Sequence, residues 1–313
     1  MNRTPKDYLL LVLKGVGMGA ADVIPGVSGG TIAFITGIYE ELINSIKAIN
    51  LKAIKLLFGF KIVEFWKTVN GNFLLSVVLG IGISIFSLAK VMEYLLNRYP
   101  ILVWAFFFGL VIASTVYVAK TIKKWNASAV FSGIAGIIAA YFITIISPAE
   151  ANTAYWFIFL SGAVAICAMI LPGISGSFIL VLLGMYRFIL EAVGNLQITV
   201  ILTFIAGAVA GITAFSNVLS WLLRKYRNQT IALLAGFMVG SLNKVWPWKH
   251  VAEAFIGSNG EVKPLVEKNV LPAVYEQITG NHAFLFGAVM LAVAGFALIF
   301  VIEGLTKTKN QNN

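Results

Sequence analysis

Two short stretches place a helix-breaking Pro-Gly pair, followed by hydroxyl and glycine residues, inside long apolar runs. The first reads IPGVSGGT at residues 24–31, and the second reads LPGISGSF at residues 171–178. Proline removes a backbone donor and glycine permits a positive φ, so each stretch predicts a break in a helix. The breaks are expected at Pro25 and Gly26 and at Pro172 and Gly173.

A helix that restarts after such a break directs its first amide N–H groups and its positive dipole end at the gap. Restarts are expected after Gly29 and Gly176, and four neighbouring hydroxyls add donors: Ser28, Thr31, Ser175 and Ser177. This combination suits an anion, above all a phosphate. The alternative is that each Pro-Gly only kinks a helix while the serines bond locally. No lysine follows the glycines, so a nucleotide-binding loop is not predicted.

The composition indicates an integral membrane protein. Of 313 residues, 59% are hydrophobic and 12% are charged, and the mean hydropathy is +0.89. Apolar runs such as 73–89 and 284–302 approach the roughly 20 residues that a helix needs to cross a bilayer. The formal charge of +10 has no basic soluble module to carry it, so we attribute it to membrane topology and predict no nucleic-acid partner.

The chain repeats itself. Residues around the first Pro-Gly recur at an offset of 147: Pro25, Gly26, Ser28, Gly29, Gly37 and Tyr39 match Pro172, Gly173, Ser175, Gly176, Gly184 and Tyr186. A second block recurs at an offset of 127, which includes Gly80, Tyr99 and Gly109 matching Gly207, Tyr226 and Gly236. The sequence therefore predicts two related halves, 1–125 and 126–313.

The positions of the lysines suggest how each half is oriented. If 8–43 and 156–190 are re-entrant hairpins, every dense basic cluster falls on one side, including the amphipathic segment 44–70. The positive-inside rule makes that side cytoplasmic and places both termini there. Six full crossings are then predicted: 73–96, 101–119 and 126–147, then 198–223, 229–245 and 283–303. Reading each broken stretch as one kinked crossing would export the lysine-rich segment and is disfavoured.

The predicted fold is an all-α integral membrane protein of two inverted-topology repeats. Each repeat contains a re-entrant helical hairpin and three transmembrane helices, with span 126–147 completing the first, and the amphipathic segment 44–70 is an interfacial helix of the first repeat. Inverted repeats with broken helices are a recurrent plan of secondary transporters. Two histidines, His250 and His282, lie in the predicted outer loop without nearby ligands, so no metal site is predicted.

The two stretches carry a resemblance to a known family. GMGAADVIPGVSGGTIAFITGIYEELI at 17–43, together with LPGISGSFILVLLGMYRFIL at 171–190, resembles the bacterial polyprenyl-phosphate transporters of the PopT type, long catalogued as a domain of unknown function. The resemblance covers essentially the whole chain. The second motif departs from the first at four positions, where Met169, Ser177, Phe178 and Arg187 stand for Asp22, Gly30, Thr31 and Glu40. The two hairpins therefore need not play equal roles.

The resemblance implies a flippase that moves undecaprenyl phosphate across the bacterial cytoplasmic membrane and recycles this lipid carrier for cell-wall synthesis. The phosphate is then expected between the hairpins, near Ser28, Gly29, Gly30, Thr31, Ser175, Gly176 and Ser177, with Arg187 as the cationic partner. Arg187 has a second interpretation as an anchor at the outer membrane rim. A carrier of a small anion or ion on the same plan is the alternative function.

Two acidic residues are candidates for coupling-ion binding or gating. Asp22 lies inside an apolar run, where a carboxylate is costly and suggests function, although it could also cap the neighbouring backbone. Glu40 follows the first hairpin at the predicted cytoplasmic interface, where solvation is its plainer role. The serines lack a histidine partner in any span, so an enzyme such as a lipid phosphatase is not predicted. No cofactor is implied, and the oligomeric state is left open between a monomer and a homodimer.

Overall fold

The computed structural model describes residues 3–22, 28–146, 151–256 and 262–311. The helix break expected at Pro25 and Gly26 lies outside these residues. The flanking chain forms three helices that correspond to the first predicted hairpin: α1 (Pro5–Asp22), α2 (Gly29–Ile35) and α3 (Tyr39–Lys47). The predicted amphipathic segment forms two short helices, α4 (Leu51–Phe58) and α5 (Ile62–Thr68).

Longer helices then alternate with a second broken stretch. The first predicted repeat continues with α6 (Gly71–Arg98), α7 (Pro100–Lys120) and α8 (Ala127–Ile145). The second hairpin region contains α9 (Tyr155–Ile170), α10 (Gly176–Leu182) and α11 (Tyr186–Gly194). After it come α12 (Ile198–Lys225), α13 (Arg227–Ser241), β1 (Lys249–Ile256), β2 (Val262–Asn269), α14 (Pro272–Thr279) and α15 (Leu285–Gln311).

The helices confirm an all-α membrane protein. Among the described residues, α6, α7, α8 and α12 contain segments long and apolar enough to cross a membrane. The α10–α11 pair would add one more if it were a single span, but it is bent by 109°. The other two predicted spans also form helices: α13 has 15 residues and α15 has an apolar part at Leu285–Val301.

The loop predicted at 246–281 contains a feature that the sequence analysis did not identify. Strands β1 and β2 form an antiparallel hairpin in which Lys249 pairs with Asn269. Neither strand alternates between polar and apolar residues, since β1 reads KHVAEAFI and β2 reads VKPLVEKN with an internal proline. The sequence therefore carries no clear strand signal here, and the small sheet leaves the helical class unchanged.

Equivalent helices of the two halves pack through equivalent glycines. A Cβ at Gly80 of α6 would overlap the Val12 carbonyl oxygen of α1, and a Cβ at Gly207 of α12 would overlap the Phe159 carbonyl oxygen of α9. One turn further along each pair, Gly19 meets Ser84 and Gly211 meets Ala163. Because the contacts advance together, α1 runs parallel to α6 and α9 runs parallel to α12.

The helices of the third predicted span of each repeat, α8 and α15, pack on α13 and α7. At the start of α8 and α13, the Gln229 side-chain amide donates a hydrogen bond to the Ser128 hydroxyl at 2.9 Å. At their far end, the Asn243 side-chain amide donates to the Thr144 hydroxyl at 2.7 Å. Likewise, Gly287 lies against Leu102 near the start of α15 and α7, and Lys120 lies over the Phe300 ring at their other end. The contacts at both ends show that α8 runs parallel to α13 and that α15 runs parallel to α7.

Candidate functional site

The ends of the two broken helices meet in the interior of the bundle. The Ser28 hydroxyl, which is completely buried, donates to the Met169 carbonyl oxygen at 2.8 Å. Tyr39 donates its phenolic hydrogen to the next carbonyl, that of Ile170, at 3.2 Å. The last carbonyls of a helix lack partners within it. Side chains of the first motif therefore satisfy the carbonyls that the break in the second motif leaves free.

A second bond joins the two motifs in the opposite sense. The Gly173 amide donates to the Thr31 hydroxyl oxygen at 3.0 Å, and both groups are buried. Gly173 has a φ of +90°, a conformation that only glycine adopts readily. Ser28 and Thr31 thus hold the second hairpin against the first, and their contact with a phosphate stays a prediction.

We expect Thr31→Val to weaken this junction. Valine has a similar shape but no hydroxyl, so the buried Gly173 amide would lose its partner, at a cost of about 1–3 kcal/mol. The measurement is the thermal unfolding of the purified protein in detergent. Thr115→Val is the matched control, because among the described residues the Thr115 hydroxyl donates to the Val111 carbonyl of its own helix and to no other group. Equal losses for the two variants would contradict the expectation.

Asp22 and Ser28 cap the start of α2. Asp22 Oδ1 accepts from the Gly29 amide at 2.7 Å, and Ser28 Oγ accepts from the Gly30 amide at 3.0 Å. A Cβ at Gly29 would overlap the Asp22 carboxylate, and one at Gly30 would overlap the Ile170 carbonyl oxygen. The capping role of Asp22 is thus present in the structure, and its coupling role stays a prediction.

The second motif is arranged differently. Ser175 occupies the N-cap position of α10, but its hydroxyl makes no capping bond and instead lies 2.7 Å from the Ser177 hydroxyl. Gly176 packs against the Ala165 carbonyl of α9, and Met169 stands where the first motif has its carboxylate. A pair of mutually bonded hydroxyls therefore marks the second motif, and no carboxylate of its own faces it among the described contacts.

Three charged residues next to the second motif were missed by the sequence analysis. Lys244 follows α13 and its ammonium lies 4.7 Å from the ring centre of Phe178, the residue after Ser177. Lys244 and Lys249 both contact Glu267 Oε2, at 3.0 and 3.3 Å. The only sequence signal for this cluster is the position of Lys244 beside the end of an apolar span. Its partners come from strands that the sequence analysis did not predict.

Lys249 is held in an unusual environment. Its side chain is 7% exposed and its ammonium lies 4.1 Å from the ring centre of Trp104. Burial lowers the pKa of Lys249 to about 8, against the opposing attraction of Glu267. Burial alone would raise the pKa of Glu267, but the two lysines outweigh it and hold that pKa below its ordinary value.

The two charged residues predicted at the ends of the hairpins are ion-paired. Arg187 Nε lies 2.7 Å from Glu191 Oε1, one turn along α11, and the Arg187 side chain is 57% exposed. Glu40 Oε1 lies 2.7 Å from the Arg227 guanidinium at the start of α13. The structure thus brings Ser28, Thr31, Gly173 and Asp22 into one junction, whereas it places Glu40 at a contact between the halves.

The neighbour of Glu40 belongs to a further charge network. The Glu41 carboxylate accepts hydrogen bonds from both terminal guanidinium nitrogens of Arg3, at 2.7 and 2.6 Å, and from the side-chain amide of Asn70 at 2.8 Å. Burial alone would raise the pKa of Glu41, but the bonds from Arg3 and Asn70 lower it below the ordinary value. The network ties together the N-terminus, the end of the first hairpin and the start of α6.

Comparison with known proteins identifies relatives over most of the chain. The model of the VCA0040-like family, described as undecaprenyl phosphate translocase-like, matches residues 18–263. A protein of Vibrio cholerae named polyprenyl-phosphate transporter is 45% identical over 297 residues, which cover 95% of this chain and 96% of the relative. A Staphylococcus aureus protein of the same name is 32% identical over 255 residues, covering 75% and 85%. No solved structure matches.

Proposed function

This chain belongs to the VCA0040-like family of undecaprenyl phosphate translocase-like proteins, and from this premise we propose that it moves a polyprenyl phosphate across the membrane. We propose undecaprenyl phosphate as the substrate and return to the cytoplasmic leaflet as the direction, so that the lipid carrier is reused in cell-wall synthesis. The protein acts as a transporter and not as an enzyme. The observation that carries the proposal is the direct contact of the two broken stretches, through Ser28 and Thr31, inside an apolar bundle.

Helix directions support the inverted repeat. Helices α8 and α13 are parallel, and α12 crosses between them, so the second broken stretch must return to the side from which it starts. The same argument applies to the first stretch, because α1 and α6 are parallel and Arg3 and Asn70 share Glu41. With one hairpin and three crossings in each repeat, the two repeats have opposite orientations. The lysine distribution then places both termini in the cytoplasm.

The outer surface of the bundle suits a substrate with a long hydrocarbon tail. Large apolar side chains of α12 and α8 are exposed, including Leu202, Val209, Phe131 and Ile138. In a membrane such surfaces face lipid. A polyprenyl tail can therefore remain in the bilayer while only the phosphate enters the protein, near the residues of the two motifs, Ser28, Gly29, Gly30, Thr31, Ser175, Gly176 and Ser177, and the cation Arg187.

Transport can be tested in cells and in vesicles. We expect that depleting the protein, together with any redundant carrier, increases undecaprenyl phosphate at the cell surface, measured by titration with an antibiotic that binds its headgroup. Unchanged surface exposure would overturn the proposed function. In proteoliposomes, we expect the protein to move polyprenyl phosphate but not inorganic phosphate between the two sides. Uptake of inorganic phosphate alone would favour a small-anion carrier instead.

The proposed topology has a separate test. Cys167 is the single cysteine, so single-cysteine variants can be made in a Cys167→Ser background. We expect Lys55→Cys in α4 to react with an impermeant thiol reagent only from the cytoplasmic side. Ala151→Cys, before α9, should react only from the outer side. Labelling of both positions from one side would contradict the inverted repeat.

A further inference from the structure

Three charged side chains meet beside the second broken stretch, and their positive and negative charges are unequal in number. Lys244 and Lys249 each contact Glu267, and both ammonium groups approach the same oxygen, Oε2. Among the side chains that the structure describes here, two cations therefore share one carboxylate, and the three groups together carry a net charge of +1. Lys244 lies in the segment after α13, Lys249 begins β1, and Glu267 lies in β2.

The cluster is largely removed from solvent. The side chain of Lys249 is 7% exposed, and those of Lys244 and Glu267 are 21% exposed each. Charged groups are rarely buried unless they are paired, because the loss of hydration is expensive. The lowered pKa of Lys249 reports the same cost. A second anion at this place would therefore be stabilised.

Aromatic rings hold the two ammonium groups near the second motif. Lys244 lies over Phe178, whose neighbour Ser177 forms the hydroxyl pair with Ser175. Lys249 lies over Trp104 of α7, which belongs to the first half. The repeat offset of 127 places Tyr117 and Ile122 at the positions equivalent to Lys244 and Lys249, so neither lysine has a counterpart at its own position in the first half.

We propose that Lys244 and Lys249 bind the phosphate monoester headgroup of the lipid substrate, and that Glu267 is an internal competitor which the headgroup displaces. A phosphate monoester carries more negative charge than a carboxylate and three acceptor oxygens, and lysine is a common phosphate ligand. This inference rests on the proposed transport function and extends its site to residues outside both motifs. With this end of the bundle on the outer face, the cluster receives substrate from the outer leaflet.

A purely structural role for the cluster predicts the opposite change in ligand affinity for Glu267→Gln. If the ion pairs only fasten the β1–β2 hairpin to the bundle, Glu267→Gln and Lys244→Gln both break the same contact and both act in the same direction. If Glu267 competes with a bound phosphate, Glu267→Gln frees the lysines for the ligand. The two substitutions then change ligand affinity in opposite directions.

The test measures binding of farnesyl phosphate to the purified full-length protein in detergent by calorimetry. We expect Lys244→Gln and Lys249→Gln to weaken binding at least about tenfold, as expected for the loss of a charge-assisted bond. Glu267→Gln should tighten binding several-fold. Lys268→Gln is the matched control, because Lys268 is exposed on the same strand and its removal changes the charge equally. Lys244→Arg keeps the charge and should retain binding.

Each outcome separates the inference from the proposed function. Weaker binding in Glu267→Gln, or unchanged binding in Lys244→Gln, would overturn the inference while leaving transport by the wild type intact. Equal affinity for inorganic phosphate and farnesyl phosphate would also overturn it, because the site would then serve free phosphate. Absence of lipid movement by the wild type in proteoliposomes would instead refute the proposed function. Thermal unfolding of each variant shows whether it is folded. If Lys249→Gln does not fold, the affinity of Lys244→Gln alone tests whether the cluster binds the phosphate.

Discussion

Gly30→Ala is expected to slow lipid transport at least about tenfold while the protein still inserts into the membrane. Gly30 lies at the start of α2, where a Cβ would overlap the Ile170 carbonyl oxygen of the second hairpin. A backbone oxygen cannot rotate away as a side chain can, so the two hairpins must move apart. The movement stretches the bond from Ser28 to Met169 and the bond from Gly173 to Thr31. Overpacking of this kind costs about 1–3 kcal/mol.

The rate of polyprenyl phosphate movement in proteoliposomes, normalised to reconstituted protein, is the measurement for Gly30→Ala. Gly82→Ala is the matched control. Gly82 lies in α6, and a Cβ there would meet nothing within 4 Å. This variant should transport at the wild-type rate. A wild-type rate for Gly30→Ala as well would show that close contact of the hairpins is not required for transport.

Much of the fold could be predicted because membrane helices follow simple rules. Apolar length gave the spans, and all six predicted spans form helices, although the predicted span 229–245 ends as a helix at Ser241. The break expected at Pro172 and Gly173 falls between α9 and α10, where Gly173 has a φ of +90°, whereas the break expected at Pro25 and Gly26 lies outside the described residues. These features depend on neighbours in sequence, and a single sequence contains them.

The contacts of the site could not be predicted, because they join residues far apart in sequence. Ser28 and Met169 are 141 positions apart, and no local pattern indicates that a hydroxyl of one motif bonds a carbonyl of the other. The cluster around Lys244 needs a strand pairing that brings Glu267 back to the bundle. The departures of the second motif at Met169 and Phe178 did indicate unequal hairpins. They could not indicate that a lysine would cover Phe178.

The second large effect is expected for Asp22→Asn. An asparagine keeps the side-chain oxygen that accepts the Gly29 amide at the start of α2, so the cap can persist without the charge. A carboxylate inside an apolar run is costly, and a cap alone does not require one. The prediction that this charge serves coupling or gating leads us to expect that Asp22→Asn folds but loses transport at least about tenfold.

Asp7→Asn is the control, because Asp7 lies in the same helix as Asp22, at its other end. Asp7 caps the start of α1, since its carboxylate accepts from the Thr4 amide at 3.0 Å, and its substitution removes an equal charge away from the two motifs. Transport is measured in proteoliposomes with an imposed proton or sodium gradient and without one. We expect the wild type and Asp7→Asn to respond to one gradient, whereas Asp22→Asn should respond to neither. If Asp22→Asn transports and responds as the wild type does, Asp22 only caps α2, and the carboxylate is retained for the geometry of the hairpin.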